Sequence, residues 1–364
     1  MIKVEFLENK LNKRILVTSD IHGNLKVFKE VLKKAEFNNN DILIIVGDLI
    51  EKGDESLNTV LFVRELMKST EVYYLMGNND DVVDIIKNPD NYIESRIESY
   101  LNNRNSIVIE LLNKHGLSDL KFPEYCKILY EKEHELIDFL LDRPHVLVDS
   151  KNIYVHAGIL KEDLSDLTEM ISLERLYFAD EKEYVYQKRV VVGHVPVSLY
   201  SADCVCNSPY YSASNNILAI DGGNVVHHGG QLNLIEFTND LKNSFVAYDA
   251  NEYEKYKAID PQKEKDGIYI KYDENIIKVI KVDDKFLNGI HLLSKKEITV
   301  DKKYVLEYKD SNTIAMVKEL SLFDLEVKKG DILSLISVDS NGIYGIVNGF
   351  VGYYHGRLEK NEKD

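Results

Sequence analysis

The segment DILIIVGDLIEKG, residues 41–53, carries the pattern that decides the fold of this chain. Its apolar run over residues 41–46 is rich in Ile and ends at Gly47 and Asp48. Continuous runs of this kind are typical of strands that are buried on both faces of a largely parallel sheet. In α/β proteins, ligand sites form outside the carboxyl ends of such strands. The segment therefore predicts a buried strand with a polar site at its exit.

Other short apolar runs along the chain end in polar residues in the same way. They cover residues 14–18 before Ser19-Asp20-Ile21-His22-Gly23, 72–76 before Gly77-Asn78-Asn79-Asp80, 153–155 before His156-Ala157-Gly158, 190–192 before Gly193-His194, and 217–220 before Asp221-Gly222-Gly223. Apolar residues at helical spacing lie between the first three runs, with Asn24 as the predicted N-cap of one helix. Strands that alternate with helices predict an α/β fold with helices layered on sheets.

The composition excludes several classes of partner. The chain has 364 residues and a formal net charge of −16, and its length suggests two domains. Because duplex DNA binds proteins largely through Lys and Arg, we expect no nucleic-acid polymer as a partner, and an anionic membrane surface is disfavoured for the same reason. Three cysteines, the lack of a signal-peptide pattern and the lack of a long apolar run favour a cytoplasmic protein without disulfides.

The texture of the sequence changes twice. Residues 81–149 are polar and mainly helical in pattern, and we interpret them as a helical insertion that either caps the site or packs on the flank of a sheet. Residues 250–364 show short alternating stretches and turn pairs such as Asn341-Gly342, which indicate hairpins. We therefore predict a main domain over residues 1–245 and an all-β domain over residues 250–364. Residues 327–356 resemble a bacterial SH3-like barrel, which we extend to 315–358.

The side chains at the strand exits are of the types that bind metal ions. A mixed set of Asp, His and Asn suits Mn²⁺, Fe or Zn²⁺ better than Mg²⁺ or Ca²⁺, which prefer oxygen ligands. One shared carboxylate would give the pair of ions, about 3.5–4 Å apart, that is used in phosphate-ester hydrolysis. Singly, each residue has a simpler interpretation as a helix cap, a turn residue or a hydrogen-bonded core histidine. Their repeated placement at strand exits favours the metal site, and the candidate ligands are Asp20, His22, Asp48, Asn78, His156 and His194.

These blocks resemble those of the calcineurin-like metallophosphoesterases. The matching motifs are SDIHG (19–23), GDLIEKG (47–53), GNND (77–80), HAGI (156–159) and GHVP (193–196), followed by LAIDGGNVVHHGGQLNLIEF (218–237). Within the family, the chain is similar to the phosphoprotein phosphatase branch, which includes small bacterial and phage phosphatases and diadenosine-tetraphosphate hydrolases. The resemblance covers about residues 14–237 and implies a four-layer αββα sandwich with two divalent metal ions, for which we expect Mn²⁺, with Fe or Zn²⁺ as alternatives.

The resemblance also implies roles for single residues. Asp20 and His22 would hold the first metal, Asp48 would bridge both metals, and the second metal would take the remaining ligands. Those ligands are Asn78, His156 and His194. Arg175 lies where bacterial members carry a phosphate-binding Arg, and its alternative interpretation is a surface helix residue. Lys52 and Asn78 complete the expected phosphate-binding set.

Three positions depart from the family pattern. The family motif GDxVDRG has Asp and Arg where this chain has Glu51 and Lys52, and a lysine cannot grip a phosphate bidentately as an arginine does. The family motif is GNHE or GNHD, and its His is thought to protonate the leaving group. This chain has Asn79 at that position, and an amide cannot donate a proton to a leaving group. General acid catalysis contributes about 10²–10⁴-fold. The candidates to replace that acid are Glu51, Asp80, His227 and His228.

Three functions follow from these expectations. The first is a Ser/Thr protein phosphatase that acts on phosphoproteins and is recruited to partner proteins by the β domain. The second is a dinucleoside-polyphosphate or nucleotide phosphohydrolase, which Asn79 favours because a polyphosphate leaves without much help. The third is a weakly active adaptor that binds phosphorylated ligands. The complete ligand set argues against the third function, because an adaptor would not need all of these residues.

Overall fold

The computed structural model describes residues 2–8, 13–182, 184–201, 203–237, 245–308 and 313–361. Within them the helices are α1 (Leu25–Lys34), α2 (Ser56–Leu66), α3 (Asp84–Lys87), α4 (Glu94–Asn102), α5 (Ile107–His115), α6 (Glu124–Leu141) and α7 (Glu169–Glu174). The strands of the first two thirds of the chain are β1 (Val4–Phe6), β2 (Ile15–Thr18), β3 (Ile42–Ile45), β4 (Glu71–Tyr74), β5 (Val146–Val148), β6 (Asn152–Val155), β7 (Arg189–Val192), β8 (Val205–Cys206), β9 (Tyr210–Ser212), β10 (Ile217–Ala219), β11 (Leu232–Phe237) and β12 (Phe245–Ala250).

The chain divides into two compact units. Unit 1 comprises Met1–Val197 and Pro209–Asn251, and unit 2 comprises Ser198–Ser208 and Glu252–Asp364. The short segment Ser198–Ser208 thus belongs with the C-terminal residues, although it lies between two parts of unit 1 in the sequence. That residues 1–245 and 250–364 form separate domains stays a prediction.

Unit 1 contains two sheets that share an apolar core. One sheet has the order β12-β11-β2-β3-β4 with β2, β3 and β4 parallel, and the other has the order β1-β5-β6-β7-β10-β9. Ile44 and Val46 from the first sheet lie in one buried cluster with Tyr154 and Val191 from the second. This arrangement confirms the α/β class and the facing sheets of the predicted sandwich.

Helix α1 shows how local sequence and packing agree. The Asn24 side chain accepts a hydrogen bond from the Val27 N–H at 3.2 Å, as an N-cap should. Leu25, Phe28 and Leu32 recur at helical spacing and are buried against the first sheet. Full burial of a side chain such as Phe28 contributes about 1.5–3 kcal/mol.

The predicted helical insertion forms α3 to α6. Ile107, Leu111 and Leu129 lie in the same buried cluster as Val60 and Val63 of α2. The insertion therefore packs on the helical layer of the first sheet and joins its core.

Unit 2 is all-β among the described residues. Its strands are β13 (Glu254–Ala258), β14 (Lys265–Ile270), β15 (Ile276–Val282), β16 (Phe286–His291), β17 (Glu297–Asp301), β18 (Val305–Tyr308), β19 (Ile314–Val317), β20 (Leu320–Asp324), β21 (Ile332–Asp339), β22 (Gly342–Val347), β23 (Phe350–Tyr354) and β24 (Leu358–Lys360). One sheet has the order β14-β20-β23-β22-β21-β13-β24 with β8 paired to β23, and the other has the order β17-β16-β15-β19-β18. The all-β prediction is confirmed, whereas the SH3-like interpretation of 315–358 stays a prediction.

Two smaller expectations concern membranes and cysteines. Among the residues that the structure describes, no helix is both long and apolar enough to cross a membrane. Cys126, Cys204 and Cys206 are all free thiols. Cys126 is buried, and burial raises the pKa of its thiol to about 12, so it is an inert core residue.

Candidate metal centre

The polar blocks meet because their strands are neighbours. Strands β2, β3 and β4 are adjacent and parallel, and so are β6, β7 and β10 in the facing sheet. The carboxyl ends of parallel neighbours lie at the same edge of a sheet, so the loops that follow them converge.

The loops after β2 and β3 have an unusual backbone. Asp20, His22 and Asp48 all have positive φ angles, between 51° and 54°. This left-handed conformation is uncommon for residues other than glycine and costs about 1–3 kcal/mol for each residue. The two loops hold each other in place, since the Asp20 N–H donates to the Gly47 carbonyl at 3.1 Å and the His22 N–H donates to the Asp48 carbonyl at 3.0 Å. Strained residues that neighbouring loops over-determine are typical of functional sites.

The candidate ligand atoms lie within a few ångströms of one another. His22 Nε2 is 3.6 Å from Asp48 Oδ2 and 3.9 Å from Asp20 Oδ1. His156 Nε2 is 3.5 Å from the other carboxylate oxygen of Asp48. Ligand atoms of Asp20, Asp48 and His156 all fall within 4.8 Å of each other. Asp48 therefore lies between His22 on one side and His156 on the other.

Asn78 and His194 complete this cluster. Asn78 Oδ1 is 3.0 Å from His156 Nε2 and 3.1 Å from His194 Nδ1. The His156 and His194 rings are 5.0 Å apart between centroids. The structure thus brings together all six residues that were expected to ligate metals.

The histidine hydrogen bonds show that a cation fits this cluster. His22 Nδ1 lies 3.2 Å from the Ile50 carbonyl, and His156 Nδ1 lies 3.0 Å from the Val46 carbonyl. A carbonyl only accepts, so Nδ1 carries the proton in both rings and each Nε2 presents a lone pair to the Asp48 carboxylate. Lone pairs that face an anionic oxygen at about this distance repel unless a cation lies between them. Histidines that ligate metals typically donate their other ring N–H to a backbone carbonyl in this way.

The electrostatics of the cluster point the same way. Burial and the nearby Asp48 raise the pKa of Asp20 above its ordinary range. Burial alone would also raise the pKa of Asp48, but His156, His22 and Lys52 lower it. Burial, together with Lys52, lowers the pKa of His22 to about 4, and burial with His156 lowers that of His194 to about 3. Burial therefore favours the neutral form of His22 and His194, and the paired carboxylates of Asp20 and Asp48 favour a positive partner.

Asn79 and Asp80 both serve Asp48, in different ways. The Asn79 side chain donates to Asp48 Oδ2 at 2.6 Å, and its backbone N–H donates to Asp48 Oδ1 at 2.9 Å. The buried Asp80 carboxylate accepts from the backbone N–H groups of Asp48 and Gly77, both at 2.8 Å, and of Leu49 at 2.9 Å. Asn79 thus orients the carboxylate of Asp48, while Asp80 joins the loops after β3 and β4.

Glu51 and Lys52 face opposite directions. The Glu51 carboxylate is buried and accepts hydrogen bonds from Tyr100, Ser106 and Ile107 of the insertion. Lys52 points into the cluster, with its Nζ 3.3 Å from His22 Nε2. Of the two, only Lys52 therefore lies where it can contact a phosphate held by the cluster.

Arg175 is close to the His156 loop but is already paired. Its guanidinium donates to both oxygens of Glu181, and its Nη1 donates to the Ile159 carbonyl at 2.5 Å. Arg175 packs closely on this loop, since a Cβ atom added at Gly158 would lie against Arg175 Cδ. Its phosphate-binding role stays a prediction, and in this structure it ties the loop after β6 to residue 181.

No role was predicted for two polar residues near Asp20. The buried Asp221 accepts from the Gly223 N–H at 2.7 Å, and burial with Asp20 raises its pKa to about 8. The Asn224 side chain donates to the Ile21 carbonyl at 2.8 Å. The motif Asp221-Gly222-Gly223 at a strand exit was the available signal. His227 lies in the same turn, where its N–H donates to the Gly223 carbonyl.

The fold and the site define a metallophosphoesterase. The family model for calcineurin-like phosphoesterases matches residues 13–241. The chain belongs to the calcineurin-like phosphoesterase family.

Relatives within this family share only part of the chain. A symmetrical bis(5'-nucleosyl)-tetraphosphatase from Buchnera aphidicola is 42% identical over 67 residues, which are 18% of this chain and 24% of that protein. The asymmetrical bis(5'-nucleosyl)-tetraphosphatase PrpE of Oceanobacillus iheyensis is 26% identical over 162 residues, which are 40% of this chain and 56% of that protein. The matched residues thus span from 24% to 56% of the length of these two relatives.

A solved structure is also similar. The metallophosphoesterase from Sphaerobacter thermophilus is 17% identical, with a TM-score of 0.37 over 66% of this chain and 89% of that chain.

Proposed function

We propose that this protein is a two-metal phosphohydrolase that prefers phosphoanhydrides of the dinucleoside-polyphosphate class. The observation that carries the proposal is the contact of the Asn79 amide with Asp48, at the position where the family has its leaving-group histidine. In the family that histidine pairs with the Asp of the GDxVDRG motif, whose position is held here by Glu51, and the Glu51 carboxylate faces the insertion instead. Both residues of the proton-donating pair are therefore replaced.

Asp80, another candidate proton donor, accepts several backbone N–H groups, so its carboxylate is committed to the loops. With Glu51, Asn79 and Asp80 engaged in this way, we propose that the leaving oxygen departs as an anion. A phosphate leaving group does this readily, whereas a serine alkoxide does not. The names of the bis(5'-nucleosyl)-tetraphosphatase relatives support the same substrate class.

The roles of the site residues follow from the geometry. When bound, two divalent ions supply Lewis acidity and lower the pKa of a shared water; we propose Mn²⁺, with Fe or Zn²⁺ as alternatives. Asp20 and His22 would hold one ion, Asn78, His156 and His194 the other, and Asp48 would lie between them. Asn79 fixes the Asp48 carboxylate in the orientation that this sharing requires. Lys52 offsets charge on the phosphoryl oxygens of the substrate.

The first test is a substrate panel on Mn²⁺-loaded protein. We expect kcat/KM for diadenosine tetraphosphate to exceed that for a phosphoserine peptide by about 10² or more, since general acid assistance is worth about 10²–10⁴-fold to a poor leaving group. The kcat/KM for an aryl phosphate should be closer to that for diadenosine tetraphosphate than to that for the phosphoserine peptide. Equal or better turnover of the phosphoserine peptide would instead support the Ser/Thr phosphatase interpretation.

The second test addresses the shared carboxylate. Asp48→Asn should abolish turnover of every substrate in the panel and reduce the bound Mn²⁺ measured by elemental analysis. Asp54→Asn is the matched control, because Asp54 lies in the same loop but is exposed. Full activity of Asp48→Asn would exclude the bridging role.

A further inference from the structure

The first residues of the loop that carries Lys52 are hydrogen-bonded to the helical insertion. The Glu51 carboxylate, which is fully buried, accepts from the Tyr100 hydroxyl at 2.8 Å and from the Ser106 hydroxyl and the Ile107 N–H, both at 2.9 Å. The Lys52 N–H donates to the Asn105 carbonyl at 3.1 Å. The segment joining α4 to α5 therefore holds both residues.

The other end of the same loop is fastened to α5. The Glu110 carboxylate accepts from the backbone N–H groups of Ser56 at 2.7 Å and Leu57 at 2.9 Å. The Ser56 hydroxyl in turn accepts from the Glu51 N–H at 3.0 Å. Residues 51–57 are thus held at both ends by the α4–α5 part of the insertion.

The backbone of this loop explains why it needs such support. Glu51 and Lys52 have φ angles of 71° and 69°, a conformation that is unfavourable for residues with a Cβ atom. Two successive left-handed residues reverse the chain direction. As a result the Glu51 side chain points to the insertion while Lys52 Nζ reaches His22 Nε2 at 3.3 Å.

Lys52 also depends on placement more than an arginine would. An ammonium is a point charge on a flexible stem and lacks the fork that orients a guanidinium on a phosphate. A lysine in this role therefore needs its backbone fixed from outside the metal cluster. The only such fixation seen for Glu51 and Lys52 among the described residues comes from the insertion and from Ser56 and Gly53 within the same loop.

We propose that the α4–α5 part of the insertion is a positioning element of the phosphate site and that Glu51 is its positioning residue. By binding Tyr100, Ser106 and Ile107, Glu51 holds Lys52 where its ammonium contacts the phosphoryl group. This proposal rests on the proposed function for the identity of the ligand. It assigns the insertion a task in phosphate binding that a lid or a flank would not have.

A mutant cycle tests the coupling. Tyr100→Phe combined with Ser106→Ala removes two of the donors to Glu51, and we expect kcat/KM for an aryl phosphate to fall about tenfold, as the loss of hydrogen bonds to a charged group predicts. Lys52→Ala should lower it at least as much. Adding Tyr100→Phe and Ser106→Ala to Lys52→Ala should cause no further loss, because these residues act through Lys52. The proposal would be overturned if Tyr100→Phe with Ser106→Ala lowered kcat/KM by the same factor in the Lys52→Ala variant as in the unmodified protein.

Affinity for inorganic phosphate provides a readout that does not depend on turnover. Isothermal titration calorimetry of Mn²⁺-supplemented protein should give the same pattern: weaker binding in the Tyr100→Phe/Ser106→Ala variant and no further weakening on top of Lys52→Ala. If the unmodified protein binds phosphate but hydrolyses nothing, the proposed function fails, while the phosphate affinities of the same variants still test this inference. Unchanged phosphate affinity in the Tyr100→Phe/Ser106→Ala variant would refute the inference alone.

A matched control separates positioning from stability. Tyr92→Phe removes another tyrosine–carboxylate hydrogen bond in the insertion, from Tyr92 to Asp84 at 2.9 Å, without touching Glu51. This variant should keep the phosphate affinity of the unmodified protein. Hydrogen exchange of the amides of residues 51–57 should quicken in the Tyr100→Phe/Ser106→Ala variant and not in Tyr92→Phe. Equal effects of both changes on phosphate affinity would reduce the role of Tyr100 to fold stability.

Discussion

At the scale of single residues, Asn79 shows how one substitution changes what a site can do. Its amide donates to the carboxylate that lies between the histidines, so the position orients Asp48 instead of serving the leaving group. An amide cannot supply a proton, whereas a histidine with an ordinary pKa near 6.5 can. The six candidate ligands are retained, whereas an amide stands at the position of the family's histidine.

Restoring the histidine should therefore change substrate preference. We expect Asn79→His to raise the ratio of kcat/KM for a phosphoserine peptide to that for an aryl phosphate by about tenfold. This is less than the 10²–10⁴-fold typical of general acid catalysis, because Glu51 is not available as the partner of the histidine. Asn79→Ala is the control, since it removes the amide without adding an acid. Steady-state kinetics on the two substrates measure the ratio. A ratio that moves equally in both variants would show that Asn79 does not govern leaving-group preference.

Asp80 is a second residue whose role is set by its hydrogen bonds. Its carboxylate accepts from backbone N–H groups of two loops, and no neutral side chain of this shape offers as many acceptors. Asp80→Asn should lower the free energy of unfolding by about 3 kcal/mol, because buried donors lose a charged acceptor. Urea denaturation measures this loss. Asp90→Asn, an exposed position, should leave the unfolding midpoint unchanged, and an equally small effect of Asp80→Asn would contradict the anchoring role.

At the scale of elements, the start of α2 is stabilised from another helix. The residue that precedes α2, Glu55, forms no side-chain cap. Instead the Glu110 carboxylate of α5 accepts from the first N–H groups of α2. A carboxylate at a helix N-terminus satisfies donors that have no partner within the helix and also offsets the helix dipole. Two helices of different segments are thereby joined at the loop that carries Lys52.

This capping predicts a modest loss of stability on neutralisation. Glu110→Gln should lower the free energy of unfolding by about 1–2 kcal/mol, because the amide keeps one acceptor oxygen and loses the charge. Glu131→Gln on the exposed face of α6 is the control. Urea denaturation of both variants gives the comparison. No difference between them would mean that α2 needs no cap from α5.

At the scale of the whole molecule, metal binding should couple to stability and to pH. A ligand that binds only the folded state at 100 times its Kd stabilises it by about 2.7 kcal/mol. Burial and Asp48 raise the pKa of Asp20, so Asp20 must release a proton to bind a cation, while the neutral histidines need not. The increase in the free energy of unfolding caused by Mn²⁺ should therefore be larger at about pH 8 than at about pH 6. Calorimetric unfolding with Mn²⁺ and with chelator measures it.

The control for this coupling is Asp48→Asn, in which the Mn²⁺ increment should nearly vanish at both pH values. An increment that does not depend on pH would mean that Asp20 is already ionised in the metal-free protein.

The division into units predicts how the chain tolerates truncation. Strand β8 belongs to unit 2 and pairs with β23 through Val205 and Val351. A chain that ends at residue 251 would keep β8 without its partner and expose an unpaired strand, which favours aggregation. We expect such a truncation to aggregate in size-exclusion chromatography. Replacing residues 199–207 with a Gly/Ser linker of equal length should restore a monomer, and identical behaviour of the two truncations would contradict this explanation.

The sequence by itself determined what depends on local pattern. Apolar runs and helical spacing predicted the strands and helices of unit 1, and the Asn24 cap was predicted as well, because periodicity and capping involve residues a few positions apart. The order of polar blocks at strand exits also predicted which six side chains lie together, since parallel neighbours place their exits at one edge.

Only the tertiary structure decided which side chains those residues face. Asp80 binds a loop some 30 positions away, Glu51 binds an insertion some 50 positions away, and Ser198–Ser208 joins residues more than 140 positions later. No local pattern encodes such partners, because each depends on how separate elements pack. The sequence therefore determined which residues can bind a cation, and packing determined which of the neighbouring carboxylates face the cluster and which join separate loops.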